Sequence, residues 1–132
     1  MVEPRIDLIT ILTDDVEGMV AFYRDVLGFP VKSQLDNYCE FGGGGVRFSI
    51  CHRSELARAT GHPAYEESGG TRHAFELAFP CNSPADVDSE FQRIVQQGAT
   101  PIKEPADMPW GQRTAFFADP DGNIHEIFAN PE

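Results

Sequence analysis

The stretch RIDLITILTDDVEGMVAFYRDVLG, residues 5–28, decides the fold. Its first part, residues 5–12, is apolar and β-branched, the composition of a strand. The period then changes. Asp14 stands before the next segment with Glu17 three residues on, the spacing of a capping box. Val16, Val20, Tyr23 and Leu27 recur at helical spacing, and Gly28 stands where a helix commonly ends in a left-handed residue. A strand is therefore followed directly by a helix.

Outward from this unit, three shorter strand candidates follow: PVKSQL (30–35), NYCEF (37–41) and VRFSICH (46–52). Gly42 to Gly45 join the last two. That run lacks the lysine and following helix of a phosphate-binding loop, and it reads as a hairpin. The second half repeats the order. RHAFELAF (72–79) is strand-like, and Ser83 caps a helix whose first residue, Pro84, has no N–H to leave unsatisfied. Val87, Phe91, Ile94 and Val95 form its apolar face, and Gly98 closes it. TPIKE, QRTAFFA and NIHEIFAN supply three more strands. Between the halves, residues 53–70 (RSELARATGHPAYEESGG) are polar and end in glycine, as a linker or flap does. The expectation is a single α+β domain of two βαβββ repeats, residues 5–52 and 71–130, with curved mixed sheets around a cleft.

The chain of 132 residues carries 21 Asp and Glu against 10 Lys and Arg, a formal charge of -11. Such a surface does not suit nucleic acid, which demands clustered cations, or an anionic membrane. It suits a cationic small ligand, and such charge equally serves solubility. Cys39, Cys51 and Cys81 are odd in number and widely spaced, the pattern of free thiols in a reducing cytoplasm and not of a disulfide framework. The N-terminus lacks the apolar core of a signal peptide, and no apolar run approaches the length of a membrane span.

AFYRDVLGF after the first strand and DPDGNIHEIF near the end resemble the vicinal oxygen chelate superfamily, over about residues 5–129. That group contains glyoxalases, extradiol dioxygenases and the fosfomycin- and bleomycin-resistance proteins. The resemblance implies paired βαβββ modules, a homodimer, and in the enzymes a divalent metal (Zn, Ni, Mn or Fe) held by His and Glu on the first and last strands of each repeat. His73 and Glu126 match the two positions of the second repeat. In the first repeat the same positions fall on Leu8 and Ser49, which are no metal ligands, and no spacing argument brings in Cys51 or His52. PADMPWGQR (105–113) is similar to the Pro-Trp-Gly segment of bleomycin-resistance proteins, which bind a cationic drug without metal, in clefts lined by aromatic and acidic side chains. That implies antibiotic resistance by sequestration, with Trp110 and Arg113 at the cleft.

Alternation sharpens the site. In 72–79, His73 shares a face with Phe75, Leu77 and Phe79; in the last strand Glu126 shares a face with Ile124 and Phe128. A carboxylate on an apolar face must be hydrogen-bonded, metal-bound or protonated. His125 falls on the opposite face. The expected ligand-binding residues are therefore Trp110, Arg113, Phe75, His73 and Glu126. No cofactor is expected. The alternative is one divalent metal on His73 and Glu126, in an enzyme where it would act as a Lewis acid. The acidic turn at residues 119–122 is no calcium loop. With Gly122 at the sixth position, the first and twelfth fall on Phe117 and Phe128. Asp119, Pro120 and Gly122 instead match positions of a type I turn.

Overall fold

The computed structural model describes residues 4–61, 63–65 and 75–132. The chain divides into two units, Met1–Gly70 and Thr71–Glu132. Each holds one four-stranded mixed sheet with a helix on one face, and neither sheet closes on itself.

In the first unit, β1 (Leu8–Thr13) leads into α1 (Val16–Ala21), followed by β2 (Val31–Leu35), β3 (Tyr38–Phe41) and β4 (Arg47–His52). The sheet order is β1-β4-β3-β2, with β1 parallel to β4 and the other pairs antiparallel. This is what a strand–helix crossover followed by a meander produces. The helix begins one residue later than the capping-box spacing predicts. Asp15, not Asp14, is the cap, and its Oδ1 accepts from Gly18 N at 3.0 Å. Thr13 fixes that position: it is fully buried at the strand end, and its Oγ1 accepts from Asp15 N. Asp14 turns outward to Arg53, at 3.0 Å. A Cβ at residue 18 would collide with the Asp15 carboxylate, so glycine there permits the cap. α1 continues as a π-helical turn over Phe22–Val26, and Gly28 closes it at φ +88°.

The core of this unit lies between α1 and one sheet face. Met19, Val20 and Tyr23 are buried with Cys39, Phe41 and Ile50. The Tyr23 ring stands edge-on to Phe48 at 5.2 Å and tilted to Phe41 at 6.2 Å, the arrangements aromatic pairs favour. After β4 the region expected as linker carries an eight-residue helix, α2 (Arg53–Thr60). His52 caps it by accepting from Ser54 N, and Gly61 ends it in a left-handed conformation.

The second unit repeats the plan. β5 (Ala78–Pro80), α3 (Pro84–Gln96), β6 (Thr100–Asp107), β7 (Arg113–Ala118) and β8 (Ile124–Ala129) form a sheet of order β5-β8-β7-β6. Ser83 caps α3 by accepting from Asp86 N, with Pro84 next. Val87, Phe91 and Ile94 are buried where α3 packs on β7 and β8, over Ala115, Phe117 and Ile127. Truncating a ring such as Phe117 to alanine costs about 3–5 kcal/mol in a core of this kind. Of the strand expected at 72–79, residues 72–74 lie outside the described residues, and of the rest only Ala78 and Phe79 belong to β5. Leu77 N donates to His125 Nδ1 at 3.2 Å, which diverts one backbone donor from the strand ladder.

Candidate functional site

Register decides which side chains share a face. In the second sheet Ala78 lies opposite Glu126 across the parallel pair, and Phe116 lies opposite Glu126 across the antiparallel pair. Thr114, opposite Phe128, is on the same face. His125, Ile127 and Ala129 alternate to the other face, are buried, and meet α3. Phe79 belongs with them: its ring is 5.8 Å from His125 and 6.2 Å from Phe117. The face of Leu77 and Phe79 is therefore the His125 face, and Glu126 stands on the sheet face turned away from the helix.

His125 and Asp119 form a structural pair beneath the last turn. Asp119 is 2% exposed; its Oδ1 accepts from Asp121 N (3.0 Å) and Asn123 N (2.9 Å), and its Oδ2 from Asn123 Nδ2 (2.8 Å). Gly122 N donates to the Asp119 carbonyl, and Gly122 adopts φ +85°. His125 Nδ1 accepts from Leu77 N, so the ring proton sits on Nε2, which faces Asp119 Oδ2 at 3.7 Å. The acidic turn thus fixes the start of β8.

Glu126 is half-buried, and the side chain beside it is Glu76. Burial pushes the Glu126 carboxyl up to about 7, reinforced by the hydrogen bond and the charge of Glu76. Glu76 itself is exposed, so the pair is open on that side. Among the described residues, the buried Glu126 Oε2 and the buried Thr114 Oγ1 have no hydrogen-bond partner. Sequence reasoning missed Glu76, but a signal for it exists. Glu76 lies eight residues before the start of α3 at Pro84, as Leu8 lies eight before the start of α1 at Val16. The registers agree, since Thr10 lies opposite Ser49 as Ala78 lies opposite Glu126.

The other expected residues fall as follows. His73 lies outside the described residues. Phe75 is 75% exposed. Trp110 is 60% exposed, on a turn in which its Nε1 donates to Gln112 Oε1 at 3.1 Å. Arg113, opposite Ala129, stands on the α3 side of the sheet and is engaged there by Asp88 at 2.9 Å and Asp107 at 3.1 Å. In the first sheet Leu8 begins β1, and Ser49 Oγ is 2.8 Å from Thr10 Oγ1.

A divalent metal needs about three protein ligands. Glu76 and Glu126 supply two carboxylates, and no group of three His, Cys, Asp or Glu side chains able to hold an ion occurs among the described residues. The described residues thus supply two of the three, and His73, the other expected ligand, lies outside them. The three cysteines are free, and burial raises each thiol. No helix of the described residues is long and apolar enough to cross a membrane.

Comparison with known proteins gives the context of these residues. The chain is 32% identical over 124 residues to the uncharacterized protein YraH of Bacillus subtilis, covering 91% of this chain and 94% of that one. It superposes on the crystal structure of a glyoxalase/bleomycin resistance protein/dioxygenase from Nocardioides with a TM-score of 0.85, at 30% identity, covering 100% of this chain and 87% of the other. Lactoylglutathione lyase from Agrobacterium tumefaciens matches at a TM-score of 0.74 and 24% identity, over 96% and 94% of the two chains, and shows the fold alone. The family model for this group covers residues 5–127, and the chain belongs to the glyoxalase/bleomycin resistance protein/dioxygenase superfamily.

Proposed function

We propose that this member of the superfamily is a metal-free small-molecule-binding protein that sequesters a cationic or aromatic ligand at the Glu126 face of the second sheet. The carrying observation is the Glu126 carboxyl: half-buried, beside a second acid, with one buried oxygen that no described donor meets. A carboxylate left in that state favours positive charge. Phe116 and Phe128 flank it on the same face, and aromatic rings attract cations. The chain's formal charge of -11 draws the same kind of ligand from solution. Exposed Trp110 supplies a stacking surface and a fluorescent reporter. The reading includes a homodimer in the cytoplasm. Leu35 and Ile6, 72% and 70% exposed, are apolar surface of the kind a partner copy covers, and free thiols suit a reducing compartment.

Titration with bleomycin, followed through Trp110 emission, tests capture directly; a saturable change is expected, and none across the cationic glycopeptides sinks the drug-capture form. The two carboxylates also favour a second reading, a divalent-metal enzyme of the same superfamily with Glu126 and His73 as expected ligands. Elemental analysis decides between the two. Stoichiometric Zn, Ni, Mn or Fe, lost in His73→Ala and Glu126→Ala, establishes the enzyme reading and removes the metal-free one. Sedimentation at micromolar concentration checks the dimer.

A further inference from the structure

We propose that Glu76 and Glu126 form the recognition site for an organic ammonium ion bearing N–H donors, with the ligand's aromatic or aliphatic body resting on Phe116 and Phe128. This rests on the small-molecule-capture reading above and names the chemical group that the site selects.

The two carboxyls are hydrogen-bonded neighbours: Glu126 lies on β8 opposite Ala78, and Glu76 lies two residues before Ala78, where β5 begins. Glu76 is exposed and Glu126 half-buried, so a ligand approaches from the Glu76 side and meets the more desolvated charge second. On the inner side, Thr114 is fully buried, lies on the same sheet face, and is diagonal to Glu126 across β7–β8, a spacing of about 7–8 Å. Its hydroxyl and Glu126 Oε2 are the two buried side-chain polar atoms without partners among the described residues, and one sheet face carries both. A buried acceptor without a donor is an expensive arrangement, and it is relieved by a ligand that brings donors. A primary ammonium has three, enough to bridge both carboxyls and still point one inward.

The surrounding charges leave room for a cation. β7 contributes Thr114 and Phe116, both neutral. Among the described residues, Lys103 of β6, opposite Phe116 and exposed, is a cation on this face. Asp86, Asp88, Glu90 and Arg93 belong to α3, on the other face of the sheet. Phe116 and Phe128 then supply cation–π attraction and apolar area to the ligand body.

The test is calorimetric titration of the full chain, in neutral buffer containing a chelator, with benzylamine, benzyltrimethylammonium and benzyl alcohol. Benzylamine is expected to bind roughly tenfold or more tightly than either analogue. Glu76→Gln and Glu126→Gln should each weaken it by a similar factor while circular dichroism stays unchanged. Glu76→Gln, at an exposed position, keeps the test intact where Glu126→Gln perturbs folding. Equal binding of benzyltrimethylammonium overturns the N–H requirement while cation capture stands. Bleomycin capture without benzylamine binding overturns this site and leaves the broader reading in place. Failure of every cation overturns both.

Discussion

Each sheet carries a glutamate on the face turned away from its helix, and the two are treated in opposite ways. Glu40 on β3 is 7% exposed, yet Arg47 Nη2 donates to it at 3.0 Å, the Tyr38 hydroxyl at 3.1 Å, and Lys32 Nζ stands 3.7 Å away. Arg47, first among these, holds its carboxyl below the usual glutamate range. Glu126 on β8 has an acid for a neighbour and a buried oxygen left unmet by the described residues, and it is pushed up to about 7. The hairpin connections beside these strands differ as well. β3 passes to β4 through glycines, with Gly43 and Gly45 at positive φ, whereas β7 passes to β8 through a turn caged by Asp119. Among its described residues, the first unit leaves no buried side-chain polar atom without a partner. The second is held rigidly at its turn and left unsatisfied beside it, as a site is when part of its stabilisation comes from a ligand.

The largest effect is expected at the cage. Asp119→Ala leaves the N–H groups of Asp121 and Asn123 without their acceptor and should cost roughly 3 kcal/mol. Denaturant unfolding of that variant measures it. A loss no greater than that of a surface substitution would remove Asp119 from its structural role and erase the contrast between the turns.

The two glutamates should also give opposite pH behaviour. Glu126 binds its proton more tightly in the folded chain, so the stability it contributes is present below the ordinary 4.5 and fades as pH rises toward about 7. The decline is on the order of 2 kcal/mol. Glu126→Gln should flatten that limb, and a carbon-13 titration of Glu126 locates its midpoint; a midpoint near 4.5 would break the comparison. Glu40 has the reverse sign. Its contribution is present above the ordinary glutamate value of 4.5 and is lost as pH falls through its lowered folded value. Arg47→Met should therefore weaken the acid limb that wild-type shows below 4.5 and leave the limb between 4.5 and 7 unchanged. A shift of both limbs together would mean that the two faces do not titrate independently.

Much of this architecture was legible in the residues. Period-two apolar runs marked the strands, Val87, Phe91 and Ile94 marked the buried stripe of α3, and Gly28 and Gly98 marked both helix ends. Asp119, Pro120 and Gly122 announced their turn. The site was less legible, because alternation tells which residues of one strand share a face but not which face of the next strand they join. That depends on register, which placed Ala78 opposite Glu126 and set Glu76, not the Leu77 and Phe79 face, beside it. Arg113 shows the same gap: its neighbour Trp110 in sequence suggested a cleft, but one step of alternation turns it to Asp88 on α3. The cap at Asp15 was missed by one residue because the burial of Thr13, which sets where β1 stops, is a tertiary fact.

The Asp119 turn also bears on the order in which the second sheet assembles. β7 and β8 close over a short local loop, an event on the order of 1–10 μs in hairpins. β5 must meet β8 across a sequence separation of 48 residues, as between Leu77 and His125, and pairings that distant form late because loop closure opposes them. Glu126 is then carried to its place by its own hairpin, and Glu76 arrives afterward against like charge. Acid repulsion acts as a brake on the last strand to dock. Removing it with Glu76→Gln should hasten protection of β5 amides in pulsed hydrogen exchange and leave β7 and β8 unchanged; simultaneous protection of all three strands would contradict this sequence of events.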